Sequence, residues 1–92
     1  MDTHYFQQYP EAHIDLHGMN RDEALHELQD FLSWARKQDF YFVRVVTGKG
    51  TGSLGGIPVI RNAVMAYLNM HGYQYQFASM LDGGEGVLYV EL

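Results

Sequence analysis

An α/β two-layer sandwich is the fold class this sequence predicts, and three observations carry it. Short β-branched and aromatic runs alternate with two amphipathic stretches of helical period. The first of those stretches opens on a capping signature, Asn20 with Glu23 three residues on. Glycine-rich corners stand where the early strands end, at Gly18 and at Thr47-Gly48-Lys49-Gly50-Thr51-Gly52-Ser53.

Residues 1–11 read as an extended lead-in, with Tyr5, Phe6 and Tyr9 as candidate anchors, and residues 12–92 as one domain. Ala12 to Leu16 alternates, with Ala12, Ile14 and Leu16 on one side and His13, Asp15 and His17 on the other. A helix follows with Ala24, Leu25, Leu28, Phe31, Leu32 and Ala35 in a stripe. Trp34 sits beside that stripe and is expected to be partly buried. Phe40 to Val46 reads as a strand. Gly48 to Gly56 holds too much glycine for regular structure. Pro58 suits the first turn of a second helix whose buried face is Ile60, Ala63, Val64, Tyr67 and Leu68, with Gly72 as its left-handed stop. Tyr73 to Met80 alternates as a half-buried strand. Asp82 to Gly86 is a turn, and Val87 to Leu92 is the last strand, forming an antiparallel hairpin with its predecessor.

The order is therefore β-α-β-α-β-β, and right-handed crossovers place both helices on one sheet face. If Tyr41, Val43 and Val45 face the helices, then Phe40, Phe42, Arg44, Val87 and Tyr89 face away. So much apolar surface calls for a cover. The aromatic lead-in or a second copy would supply one; a stacking platform for nucleobases is the competing use.

Composition narrows the function classes. No cysteine is present, so a disulfide framework and a thiolate zinc site are excluded. No apolar run reaches membrane-spanning length, and Met1 to Pro10 lacks a signal-peptide pattern; a cytoplasmic protein without a membrane partner is expected. The net charge of −5 argues against nucleic-acid binding by bulk charge. The acid is uneven, however. Residues 1–39 carry eight acids against three basic residues, whereas residues 40–92 carry three of each. A local basic site around Lys49 and Arg61 is compatible with that distribution.

Two corners carry candidate chemistry. Gly48-Lys49-Gly50-Thr51-Gly52 precedes a helix, and glycines allow backbone N–H groups to approach an anion closely. Lys49 adds a full positive charge. The loop is not a Walker loop, since Val43 stands where its first glycine belongs. A plain strand-to-helix connection has the same composition. Asp15 and His17 are two apart on an extended segment, so they share a side. A carboxylate beside an imidazole fixes its tautomer and raises its basicity; equally, the two can be a capping acid and a polar strand end. His4, His13, His26 and His71 show no metal-ligand spacing with a third ligand, and Ser53 has no partner histidine.

These residues resemble the Smr (small MutS-related) domain family. Ile14-Asp15-Leu16-His17-Gly18 with Glu23, Ala24 and Leu28 is similar to its opening. Val45-Val46-Thr47-Gly48-Lys49-Gly50-Thr51-Gly52 is similar to its second signature. Ile60-Arg61 with Val64, Tyr67 and Leu68 resembles its helix, and Gly83-Gly84-Glu85-Gly86 with Tyr89-Val90-Glu91-Leu92 its closing turn and strand. The resemblance runs from Ile14 to Leu92. Thr47 stands where the family signature often begins with histidine, so that histidine's role does not transfer. The family implies the fold of the C-terminal domain of bacterial translation initiation factor three: a four-stranded mixed sheet in order 1-2-4-3 with two helices on one face. It also implies association with nucleic acid, DNA or RNA, and endonuclease activity in some members, either as stand-alone chains or as tails of larger ones.

The resulting expectation is a nucleic-acid endonuclease or nicking module. In it, His17 is general base or acid, Asp15 orients it, Lys49 with the Gly48–Gly52 backbone holds a phosphate, and Arg61 neutralises a second oxygen. Asp15 is a hard oxygen ligand that magnesium or manganese can use, although one carboxylate makes a poor site for a divalent cation. The alternative is a non-catalytic module that recognises nucleic acid or a ribonucleoprotein, alone or within a larger parent chain or complex. A protein-interaction domain using the open sheet face is a third option.

Overall fold

Asn20 starts the first helix in the way its side chain dictates. A computed structural model describes residues 9–49 and 58–92. In it, Asn20 Oδ1 accepts from the Glu23 N–H at 2.8 Å, and Glu23 Oε1 accepts from the Asn20 N–H at 3.1 Å. This reciprocal box satisfies two amides that the helix cannot. The elements are β1 (His13–Asp15), α1 (Arg21–Lys37), β2 (Phe42–Val46), α2 (Val59–Met70), β3 (Tyr75–Phe77) and β4 (Val87–Glu91). Two 3₁₀ turns, Met80–Asp82 and Gly84–Gly86, connect β3 to β4.

Both helices end the same way. Gly72, with φ of 75°, closes α2: its N–H donates to Asn69 O, and the Tyr73 N–H donates to Leu68 O. Asp39, with φ of 61°, closes α1 through the equivalent pair, Asp39 N–H to Arg36 O and Phe40 N–H to Ala35 O. These are Schellman motifs, which satisfy carbonyls left over at a helix end.

The sheet order is β1-β2-β4-β3. β1 runs parallel to β2, with Ile14 opposite Val45, and β4 runs antiparallel to both its neighbours. One sheet face meets the helices. Leu16, Leu28, Leu32, Leu68, Leu88, Val43, Val45, Val64 and Val90 are fully buried there. Each such side chain contributes about 1.5–3 kcal/mol through loss of water contact. Among the described residues no helix is long and apolar enough to cross a membrane.

The other face differs from the sequence reading. The second strand begins at Phe42, two residues later than expected, because the left-handed Asp39 turns the chain first. Phe40 consequently packs against the core and sets its ring edge-on to Trp34, centroids 5.6 Å apart, while Tyr41 is 63% exposed. Phe42 and Val87 do face away from the helices, yet both are buried. Phe42 packs edge-on against Tyr89, and the folded β3–β4 connection lies over Val87. The expected strand Tyr73–Met80 narrows to Tyr75–Phe77, since Met80 already belongs to the first 3₁₀ turn. Tyr9 is no anchor, being 80% exposed, and the lead-in's Tyr5 and Phe6 lie outside the described residues. What ties the lead-in to the sheet is Glu11. Its N–H donates to Phe42 O at 3.1 Å, and its carboxylate accepts from the N–H groups of Tyr41 and Phe42.

Candidate functional site

β1 and β2 are parallel neighbours, so their carboxyl ends lie side by side, and the two corners read from the sequence meet there. The Leu16 N–H donates to Val46 O at 2.7 Å, which pins the ends together. A β-carbon on Gly48 (φ 78°) would lie 3.4 Å from the β-carbon of His17. The glycine at position 48 thus brings the second corner against the base of the imidazole.

Asp15 and His17 form a pair, with His17 Nδ1 2.5 Å from Asp15 Oδ1. The same oxygen accepts from the His17 backbone N–H at 3.0 Å. The Asp15 carboxyl lies below its ordinary pKa, chiefly because His17 hydrogen-bonds to it. Slight burial opposes this, and the backbone N–H and the charges of His17 and Arg44 add to it. With the carboxylate on Nδ1, the Nε2 of His17 is the nitrogen left to exchange a proton. Both side chains are at least half exposed, so the pair is open to a large substrate.

Arg44 is a neighbour that carried no role in the sequence reading. It stands opposite His13 on the face that carries Asp15. The signal was the two-residue alternation along β2, which already aims it away from the helices. Its guanidinium holds Asp82, with Nη2 at 3.1 Å and Nε at 3.2 Å from Oδ1, and donates to the Asp82 carbonyl at 3.3 Å. The Tyr89 hydroxyl donates to the other Asp82 oxygen.

Thr47 is buried, and its hydroxyl faces the carbonyls of Gly48 at 3.0 Å and Gly86 at 3.3 Å. The N–H groups of Thr47 and Gly48 both donate to Gly86 O, at 2.9 and 3.0 Å. The Gly48 amide is therefore committed to the closing turn, and the glycine serves close approach instead. Gly86 is matched to it: a β-carbon there would lie 3.2 Å from both the Gly48 carbonyl carbon and Lys49 Cγ. Lys49 is exposed beside this contact. Gly50, Thr51 and Gly52 lie outside the described residues.

Arg61 sits in the first turn of α2, pairs with Glu85 at 3.6 Å, and lies over the Phe77 ring at 5.9 Å from its centroid. Its contacts are with the β3–β4 side of the edge. Among the described residues its buried Nε has no hydrogen-bond partner. Among the described residues the α2 N-terminus has no side-chain cap and no acid in its first turn, so the helix start carries partial positive charge.

The donor set does not suit a divalent cation. Among the described residues no three His, Cys, Asp or Glu side chains gather as a metal cluster, and the one carboxylate of the pair already faces His17 and Arg44. A cleft of about 590 Å³, lined by Arg36, Lys37, Tyr67, His71 and Tyr73, lies between the C-terminal ends of the two helices. It is remote from the strand ends that carry Asp15 and Gly48, and helix C-termini disfavour an anion.

Comparison with known proteins agrees with this architecture. The chain is 37% identical over 81 residues to Endonuclease MutS2 of Clostridium acetobutylicum, covering 86% of this chain and 10% of that protein. It is 36% identical over 85 residues to an uncharacterized protein of Treponema pallidum, covering 90% and 42%. The chain thus spans less than half the length of these relatives. The crystal structure of the Smr domain of Thermus thermophilus MutS2 matches with a TM-score of 0.76 and 31% identity, over 88% of this chain and 96% of that one. YdaL, a stand-alone small MutS-related protein from Escherichia coli, matches with a TM-score of 0.81 and 25% identity, over 96% and 70%. The Smr domain family model covers residues 14–92, which takes in both corners, both helices and the closing turn, and the chain belongs to that family.

Proposed function

We propose that this Smr domain binds nucleic acid and cleaves its phosphodiester backbone at the Asp15–His17 edge. The observation that carries the reading is the closeness of the Gly48 corner to His17, where a β-carbon on the glycine would lie 3.4 Å from that of the histidine, beside the carboxylate–imidazole pair. The similarity to proteins named Endonuclease MutS2 supports it. Lys49 neutralises a phosphate oxygen, and the uncapped start of α2 adds partial positive charge at the same edge. Nε2 of His17 takes the proton of the attacking hydroxyl as its oxygen bonds to phosphorus. The bond from phosphorus to the leaving oxygen breaks, and that oxygen receives a proton from the imidazolium. Asp15 holds the tautomer and stabilises the cation. Thr47 is buried in the turn contact and supplies no second acid or base.

The test is cleavage of labelled single-stranded, duplex and branched DNA and RNA, with and without magnesium or manganese. The Asp15→Ala/His17→Ala double variant is expected to lose cutting by at least about a hundredfold while binding stays within a factor of about two. Cutting retained by that variant removes the mechanism. Loss of binding on Lys49→Ala with no cutting by the parent chain favours the recognition module instead.

A further inference from the structure

The most exposed apolar side chains among the described residues are adjacent. Met80 is 91% exposed and Leu81 102%. Large apolar side chains are most often buried, and what is informative is their exposure side by side rather than singly. They do not ride on a slack loop. The N–H groups of Asp82 and Gly84 both donate to Ser79 O, at 2.9 and 2.8 Å, and the Ala78 N–H donates to Val87 O at 3.0 Å. Arg44 and Tyr89 hold the Asp82 carboxylate against the sheet. Gly83, at φ of 107°, fits so tightly that a β-carbon would fall 2.4 Å from Val87 Cγ2. The acids that flank the tip are both paired, Asp82 with Arg44 and Glu85 with Arg61. The other end of the same connection, Gly86, abuts Gly48 and Lys49.

We infer that Met80 and Leu81 form a wedge that enters between neighbouring bases of a double helix held at the Lys49 edge. The inference rests on the nucleic-acid reading above and adds the feature of the helix that is selected. Apolar side chains inserted at a base step unstack it and kink the duplex. The cost is least where stacking is already interrupted, so the wedge selects a helix with an unpaired base over an unbroken one. A braced tip loses little freedom when it inserts, which favours the contact. Neutralisation of both flanking acids removes the repulsion that a phosphate backbone would otherwise meet. Lys49, whose side chain lies against Gly86 of this connection, complements that backbone in charge.

The test compares the 92-residue chain with its Met80→Ser/Leu81→Ser double variant. Fluorescence anisotropy is read on DNA and RNA duplexes, unbroken or with one unpaired base, carrying a fluorescent purine analogue beside the interruption. The parent chain is expected to bind the interrupted duplex roughly tenfold more tightly than the unbroken one and to brighten the analogue by unstacking it. The double variant is expected to keep its melting temperature and its affinity for the unbroken duplex, and to lose both the preference and the brightening. A variant that keeps preference and brightening overturns the wedge and leaves the nucleic-acid reading standing. Failure of the parent chain to bind any duplex overturns the wedge, and failure to bind single-stranded and branched nucleic acid as well overturns the nucleic-acid reading too. A variant that turns a dimer into a monomer in sedimentation, with duplex binding unchanged, assigns the tip to a contact between copies and overturns the wedge.

Discussion

Asp39 shows how a single residue redirects the chain. It takes a left-handed conformation, φ 61°, that side chains other than glycine resist, and it places a negative charge at a helix C-terminus. Glycine relieves both costs and loses some entropy in exchange. Asp39→Gly is expected to raise stability by a net of about 0.5–1 kcal/mol, measured by urea unfolding. An unchanged or lower midpoint would show that the Asp39 side chain makes a compensating contact. The same residue explains why Phe40 and Tyr41 exchange roles relative to the sequence reading. Alternation predicts faces only inside a strand, and the turn at Asp39 delays the strand to Phe42. Thr47 is a second case: its type suggests nothing, and only its contact with Gly86 reveals it as a clasp.

At the level of elements, the β3–β4 connection is strapped across the sheet by Arg44, Asp82 and Tyr89. The Asp82 carboxyl lies below its ordinary value of 3.8, first because Tyr89 donates to it and then because Arg44 does, against some desolvation. Tyr89 lies above its ordinary 10.0, mainly through that same bond, with desolvation and the Asp82 charge adding to it and Arg44 opposing. The signs give a window. The Asp82 contribution is full above 3.8 and is lost as pH falls through the lower folded value. The Tyr89 contribution is full below 10.0 and is lost as pH rises through the higher folded value. Tyr89→Phe is therefore expected to lower the melting temperature at neutral pH and to flatten the loss of stability above pH 10. Parallel alkaline profiles for parent and variant would dissociate Tyr89 from the strap.

On the scale of the whole molecule, the candidate site exists because three distant segments share one edge: the end of β1, the end of β2 and the turn before β4. Gly86 is the tightest point of that junction, with the Gly48 backbone carbon 3.2 Å from a would-be β-carbon. Backbone cannot swing aside as a side-chain tip can. Gly86→Ala is expected to cost about 1–3 kcal/mol in urea unfolding and to weaken nucleic-acid binding by moving Lys49. Full stability with full binding in that variant would mean that the junction has slack.

Much that depends on neighbours within about one turn of chain was legible in the order of the amino acids, although the left-handed stop at Asp39 was not. This covers the Asn20–Glu23 box, the stop at Gly72, the buried stripe of α1, the alternation of β1 and the shared side of Asp15 and His17. These follow from helix and strand periods and from the amides and carbonyls that each helix end must satisfy. The family signatures added the sheet order, which no period carries. Tertiary structure alone decided what lies on the far face, that Arg44 reaches across 38 positions to Asp82, and that Gly86 closes on Gly48 and engages its amide. Those contacts depend on strand register and on where a connection folds back, and the energy that fixes them is shared among residues too far apart along the chain for any local pattern to register.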